Sequence, residues 1–242
     1  MRAPFTAGLL IGCLWGAQSV YTGSFEFTPL RANLSQQTST EVITVKNNGD
    51  AAVVVQLQVL QWAMDGDRDV YTDSDEVLAT PPIFTLPVAA SQVVRVGLTQ
   101  PVDARREQTY RLFFEEVPPP PEPGYQGLRV ALRVGLPIFV APGSQLPAHP
   151  QLNWRALRSG QKEVKLRVTN IGNAHSQIIV LALRPTAGAS ALAEIKAPGY
   201  ILAGQAREWV VRLPHGLPGK SIHLSAQTDG GPLEADVALE AQ

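Results

Sequence analysis

From Leu128 to Leu136 apolar and other residues alternate without a fault. Leu128, Val130, Leu132, Val134 and Leu136 fall on one face of an extended chain, and Arg129, Ala131, Arg133 and Gly135 on the other. This is the period of a β-strand, and the apolar run continues to Val140. Pro137 has no N–H to give to a central ladder, which predicts a strand at a sheet edge, at the proline end at least. A long edge carrying five aliphatic side chains on one face is an aggregation hazard unless something covers it. Taken alone, the strand fits two readings: a sandwich strand with its aliphatics turned inward, or a strand made to be lent to a partner.

The rest of the chain has the same character. Strands are predicted near 24–33, 40–47, 51–63, 69–71, 76–86, 91–98, 108–117 and 127–140, and again near 151–157, 177–183, 200–202, 206–213, 220–227 and 233–240. No apolar period near 3.6 residues runs long enough for a major helix. Val53, Val55, Leu57 and Val59 alternate cleanly with glutamines, whereas Thr40 to Val45 alternates less cleanly about Val42 and Val45. Asp65-Gly66-Asp67-Arg68-Asp69 spaces three carboxylates two apart, but its glycine and its missing final glutamate do not suit a helix-flanked calcium loop, so it reads as a solvated hairpin turn. Thr80-Pro81-Pro82 interrupts a strand and is compatible with a cis bond. Pro118 to Gly124 reads as an extended, protruding polyproline loop.

Pro142-Gly143 and Pro147 to Pro150 mark a boundary, and the second half repeats the first. Val45-Lys46-Asn47-Asn48-Gly49-Asp50 is echoed by Val168-Thr169-Asn170-Ile171-Gly172-Asn173, each after alternating apolar residues and before a valine- or isoleucine-rich strand. Asn-x-Gly suits the positive backbone angles of a tight reversal. The expected architecture is all-β, two sandwiches in tandem, over 20–142 and 148–242.

A chain of 242 residues suffices for two such units. A formal net charge of −1 gives no electrostatic reason to bind nucleic acid or an acidic membrane. Residues 1–19 read as a secretory signal, with Arg2, an apolar core from Phe5 to Trp15 and a small-x-small cleavage site at Ala17-Gln18-Ser19. The lone cysteine, Cys13, lies within it; Leu10-Ile11-Gly12-Cys13 also fits a lipoprotein pattern. No later segment approaches a membrane helix, so no stable membrane insertion is expected. The mature chain is expected to be soluble and outside the cytoplasm, with no disulfide or thiolate nucleophile.

The four histidines, His149, His175, His215 and His223, read as surface or turn residues without metal-ligand spacing. Glu115 and Glu116 are adjacent on a strand and point to opposite faces, which spoils them as an acid–base pair. No enzyme activity, cofactor or metal site is expected.

Several short pieces, in order, carry a resemblance. They are Leu30-Arg31, Val45-Lys46-Asn47-Asn48, Thr80-Pro81-Pro82-Ile83-Phe84, Val94-Arg95-Val96, Arg106-Glu107, Glu116-Val117-Pro118, and the alternating strand from Leu128 to Phe139, ending at Pro142. With them the chain resembles the PapD-like periplasmic chaperones of chaperone–usher pilus assembly. The Leu-Pro-Ile-Phe-Val-Ala-Pro ending and Thr109-Tyr110-Arg111 are similar to the archaic branch, typified by Csu pili and spore-coat-U-like subunits.

The resemblance implies two immunoglobulin-like domains in a boomerang and a periplasmic location. It also implies a last strand of the first domain that completes a pilin-like subunit lacking its own final strand, before hand-over to an outer-membrane usher. Leu128, Val130, Leu132 and Val134, with Leu136 following, match the donor positions. The family anchors the subunit's C-terminal carboxylate with an arginine and a lysine. Arg31 falls at the arginine position, while Pro137 stands where the lysine would be, so the second anchor is expected at Arg111, with Arg95 the further candidate. Glu107 matches an acid that fixes the domain angle, but Ala141 replaces its basic partner. The alternative reading is a secreted structural or adhesive immunoglobulin-like binding module whose alternating strand is simply internal.

Overall fold

The computed structural model describes residues 24–101, 105–120, 130–143, 147–216 and 219–241. The expected signal segment with Cys13, residues 121–124 of the proline loop, and Leu128 lie outside them. Every regular element described is a strand. The first half holds β1 (Phe25–Thr28), β2 (Ala32–Leu34), β3 (Thr40–Asn47), β4 (Val53–Asp65), β5 (Arg68–Asp73), β6 (Val77–Thr80), β7 (Ile83–Leu86), β8 (Ser91–Leu98), β9 (Gln108–Val117) and β10 (Arg133–Val140). The second holds β11 (Leu152–Arg158), β12 (Glu163–Asn170), β13 (Ser176–Arg184), β14 (Ala193–Ile201), β15 (Ala206–Arg212), β16 (Ser221–Thr228) and β17 (Gly231–Ala241).

In the first half one sheet runs β1-β3-β8-β6 and the other β2-β10-β9-β4-β5, with β7 also on β4. Two segments are divided at a proline, because proline cannot continue the ladder: 24–33, expected as a single strand, and 76–86, where the interruption at Thr80-Pro81-Pro82 is the expected one. Residues 24–33 break at the cis bond Thr28–Pro29, and β1 joins β3 while β2 joins β10. Residues 76–86 break at the cis bond Thr80–Pro81, and β6 joins β8 while β7 joins β4. Both strands thereby change sheet and close the sandwich at its sides.

The inner faces meet in a core that includes Ile43, Val45, Val55, Leu57, Val94, Val96, Leu112, Phe114, Leu136, Ile138 and Val140. In β3 Ile43 and Val45, the alternating apolar pair before the turn, face inward as expected, whereas Val42, about which the segment was also expected to alternate, is exposed. Strand β4 changes its buried face along its length. Val53, Val55 and Leu57 enter this core, whereas Leu60 and Trp62 are buried on the opposite face. Trp62 there meets Phe139 of β10 and Leu202 of the second half in a small separate cluster.

The second half is one path of seven strands, β14-β13-β16-β17-β11-β12-β15, folded over a core of its own around Leu166, Ile178, Leu181 and Leu224. Strand β17 carries the fold from one layer to the other, antiparallel to β16 and, at its end, parallel to β11.

The sequence echo is a structural repeat. Asn47 and Asn170 are both fully buried. Asn47 donates its amide to the carbonyls of Ala51 (2.8 Å) and Leu86 (3.1 Å) and accepts the Gly49 N–H (2.9 Å). Asn170 donates to Ala174 (2.7 Å) and Ile201 (3.1 Å) and accepts the Gly172 N–H (3.0 Å). The expectation of a positive-φ reversal is corrected, since neither Gly49 nor Gly172 has positive φ. The asparagine side chain shapes the turn instead. Gly172 is needed for space, because a Cβ there would lie 2.2 Å from the His149 carbonyl. The Asp65–Asp69 segment is the expected hairpin turn, with Gly66 at φ +66° between β4 and β5.

Candidate functional site

The alternating strand has one flank covered throughout and the other covered only at its end. Strand β10 pairs antiparallel with β9 along its whole length, Arg133 opposite Glu115 through to Val140 opposite Gln108. Strand β2 covers the other flank only at Ile138–Val140, in parallel. Among the described residues nothing pairs with that flank from Val130 to Pro137. The expected edge is therefore present, but it lies ahead of the proline, and the end beyond it is the covered part.

The ladder fixes which groups the open flank offers. The Glu116 N–H donates to the Leu132 carbonyl at 2.8 Å. By alternation the even residues Leu132, Val134, Leu136, Ile138 and Val140 turn their main-chain groups to β9, and Arg133, Gly135 and Pro137 turn theirs outward. Pro137 thus lacks an N–H on the flank where β9 does not need one. The Leu132 N–H is taken by the Glu116 carboxylate at 3.2 Å, which ends the ladder.

The five alternating aliphatics divide in the same direction. Val130 is 57% exposed, Leu132 and Val134 are half-buried, and Leu136 is buried in the first core. The strand is rooted at Leu136, Ile138 and Val140; it begins at Arg133, not near 127 as expected, and Val130 to Leu132 lead into it increasingly bare.

Arg31 and Arg111 both lie near Tyr200 of the second half, and Arg95 does not. Arg111, on β9 opposite Pro137, lies over the Trp62 ring at 3.9 Å. Its Nη2 is 3.9 Å from an Asp69 carboxylate oxygen, its Nη1 donates to the Gly135 carbonyl at 3.5 Å, and its buried Nε has no hydrogen-bond partner. Arg31 lies in the bend between β1 and β2, 3.6 Å from Asp229 of the second half. Both guanidinium charges act on the phenol of Tyr200: burial pushes its pKa up, and Arg31 and Arg111 pull it down. Arg95 is exposed on β8, between Val42 and Thr80, in the other sheet.

The odd face of β10 continues this surface. Arg133 lies over the Phe113 ring at 3.9 Å and pairs with Glu115, and Phe113 meets Tyr71 edge-on at 5.2 Å. Gly135 admits Phe113: a Cβ there would stand 2.8 Å from the ring.

Glu107 is at the joint between the halves, and its partner is a histidine. Its carboxylate Oε1 is 2.7 Å from His175 Nδ1 and accepts the His175 backbone N–H at 3.0 Å. The Glu107 N–H donates to the Asn173 carbonyl at 2.8 Å, and the Met64 N–H to Gln205 Oε1 at 2.5 Å. The side chain that meets Glu107 is thus His175 of the second half, not a residue at position 141. The expectation of surface or turn positions is corrected at His223, which is buried within β16, while His175 lies in the turn between β12 and β13 but is not on the open surface. His175 is enclosed by Glu107 and Phe139, and His223 is buried with Nδ1 2.8 Å from Asp236. His149 and His215 are exposed.

The sequence reading missed Trp62, Asp69, Tyr200, His175 and Asp229. Trp62 was legible in principle, as an apolar residue on the polar face of β4. The three from the second half carry no local signal, because they act only through a contact between distant segments.

The family "Pili and flagellar-assembly chaperone, PapD N-terminal domain" matches residues 24–145. A protein named probable fimbrial chaperone EcpB, from Klebsiella pneumoniae subsp. pneumoniae, is 29% identical over 210 residues, covering 84% of this chain and 86% of its own. Among solved structures, the CsuC–CsuE chaperone–tip adhesion subunit pre-assembly complex from archaic chaperone-usher Csu pili of Acinetobacter baumannii has a chain that matches with a TM-score of 0.67 at 19% identity, covering 89% of this chain and 99% of that one. The complex of the Salmonella enterica SafA pilin with the SafB chaperone matches at a TM-score of 0.60 and 18% identity, over 90% and 98%. These likenesses give the fold, two immunoglobulin-like domains, and the match over residues 24–145 gives the family: the chain belongs to the PapD-type pili and flagellar-assembly chaperones.

Proposed function

We propose that this protein is a periplasmic chaperone that stabilises pilin-like subunits by lending them the free half of β10, and then delivers them to an outer-membrane usher. The observation that carries the reading is the open flank from Val130 to Pro137 on a strand whose far end is rooted in the core. A subunit lacking its last strand offers a hydrophobic groove and an unpaired edge. The outward N–H and C=O groups of Arg133 and Gly135 serve the edge, and Leu128, Val130, Leu132 and Val134 serve the groove. Each aliphatic side chain so buried is worth roughly 1.5–3 kcal/mol before the cost of ordering. A structural module would leave this edge bare, which folded proteins avoid.

Arg31 and Arg111 form the carboxylate anchor, the second replacing the lysine absent at Pro137, and Glu107 with His175 sets the joint between the domains. Arg95, on the other sheet, lies outside the anchor. Assignment to the archaic branch is supported by Pro137 at the lysine position and by the TM-score of 0.67 to a chain of the Csu complex.

The test is co-expression with a pilin-like subunit encoded beside the chaperone. A one-to-one complex from the periplasmic fraction, in which the subunit is lost when the chaperone is omitted, supports the reading. A subunit that folds and accumulates equally without the chaperone overturns it.

A further inference from the structure

The second domain presents a carboxylate of its own to the anchor. Asp229 lies in the turn between β16 and β17. Its N–H donates to the Gln177 carbonyl at 3.0 Å, and its Oδ1 accepts the Gln177 N–H at 2.9 Å, so β13 holds the side chain in place. Its other oxygen faces the first domain, 3.6 Å from Arg31 Nη1 and 3.6 Å from His175 Nε2. Both separations are longer than a hydrogen bond. The His175 Nε2 is buried without a hydrogen-bond partner, its Nδ1 being engaged with Glu107. One oxygen is thus shared between two nitrogen groups and satisfies neither.

We infer that Asp229 is the resident carboxylate of the anchor, holding Arg31 in the free chaperone and yielding it to the terminal carboxylate of the subunit. The inference rests on the anchor reading above. Arg31 is 43% exposed and Asp229 27%, so the pair is open enough to exchange partners. Released from Arg31, the Asp229 oxygen remains beside His175 Nε2, 3.6 Å away, and His175 is tied to Glu107; capture of a carboxylate is thereby linked to the bridge between the domains. The arrangement also makes the site selective. A chain end without a negative charge cannot compete with Asp229, while a carboxylate gains Arg31 and Arg111 together.

The experiment compares the full-length parent with Asp229→Asn, whose amide oxygen can still accept from Gln177. The probe is a synthetic peptide of the last residues of the neighbouring-gene subunit, made as the free acid and as the C-terminal amide. Binding is measured by calorimetry. Asp229→Asn is expected to bind the acid about two- to fivefold more tightly than the parent, the range set by a partly exposed ion pair. Its affinity for the amide should be unchanged, and the gain should vanish when Arg31→Ala is added. Asp229→Ser, which keeps an acceptor for Gln177, should behave alike and serves if the first variant folds poorly. Equal or weaker binding of the acid, or an equal gain for acid and amide, overturns the inference. If Arg31→Ala alone binds the acid as well as the parent, the anchor itself is misplaced; if it binds weakly while Asp229→Asn is unchanged, the anchor stands and only the role of Asp229 falls.

Discussion

His175 of the second domain lies flat on Phe139 of β10, ring centroids 3.6 Å apart and planes within 10°. The same imidazole meets Glu107, so the root of the lent strand and the joint between the domains are one packed unit. A strand is useful as a rigid template only if its fixed end does not move, and this contact supplies the fixed end.

Replacing His175 by Ala is therefore expected to destabilise the protein by about 1–3 kcal/mol, since it removes the stack and leaves the buried Glu107 carboxylate with a backbone donor alone. His175→Gln, which keeps a donor but loses the stack, should fall between. Chemical denaturation checks the order.

The two buried asparagines give a second expectation. Asn47→Ala and Asn170→Ala each strand two carbonyls, both of them buried at Asn170 and one at Asn47, and a turn N–H, and each should cost about 2 kcal/mol or more. Asn48→Ala loses only an exposed contact with Glu26 (3.0 Å) and should change stability by less than about 0.5 kcal/mol. Melting curves of the three variants make the comparison.

Much of this was legible because strands write their period directly into sequence. The alternation located β10, although the strand begins at Arg133 and not near 127, and the repeat around Asn47 and Asn170 identified the duplication. The interruption at Pro81 was legible from the paired prolines, but the break at Pro29 was not, because a change of sheet leaves the apolar pattern intact on both sides. The reversal of burial within β4 is a tertiary effect, since Trp62 has a partner only once the second domain docks. Arg31 and Arg111 could be nominated from the resemblance. Their convergence on Tyr200, and the carboxylate of Asp229 beside them, depend on contacts between residues far apart in sequence.

Along β10 and the residues that lead into it, the effect of a charge should depend on distance from the root. Val130→Asp should leave the melting temperature of the free chaperone within a few degrees of the parent, because the site is exposed, yet abolish capture of a subunit, because a groove cannot solvate the charge. Leu136→Asp should prevent folding outright, since that side chain is in the core. Circular dichroism and pull-down yield, read together, separate the two.

Arg31→Ala and Arg111→Ala should each reduce recovery of the chaperone–subunit complex, whereas Arg95→Ala should not. Loss of a charge-assisted hydrogen bond corresponds to about 1.5–3 kcal/mol. Arg111→Lys should restore capture only in part, keeping the charge without the planar fork. Because Arg111 also covers Trp62, Arg111→Ala should lower the chaperone's own stability by about 0.5–2 kcal/mol, a cost that Arg31→Ala avoids.

Amide hydrogen exchange along β10, free and in complex with a subunit, tests the lending of the strand most directly. In the free chaperone the Arg133 and Gly135 amides point to the open flank and should exchange quickly, while those of Leu136 and Ile138, bonded to β9, should be protected. On capture, Arg133 and Gly135 should slow by about a hundredfold or more as they pair with the subunit, with Leu136 and Ile138 little changed. If Arg133 and Gly135 are already protected in the free protein, or still exchange quickly in the complex, β10 is not the strand that the subunit receives.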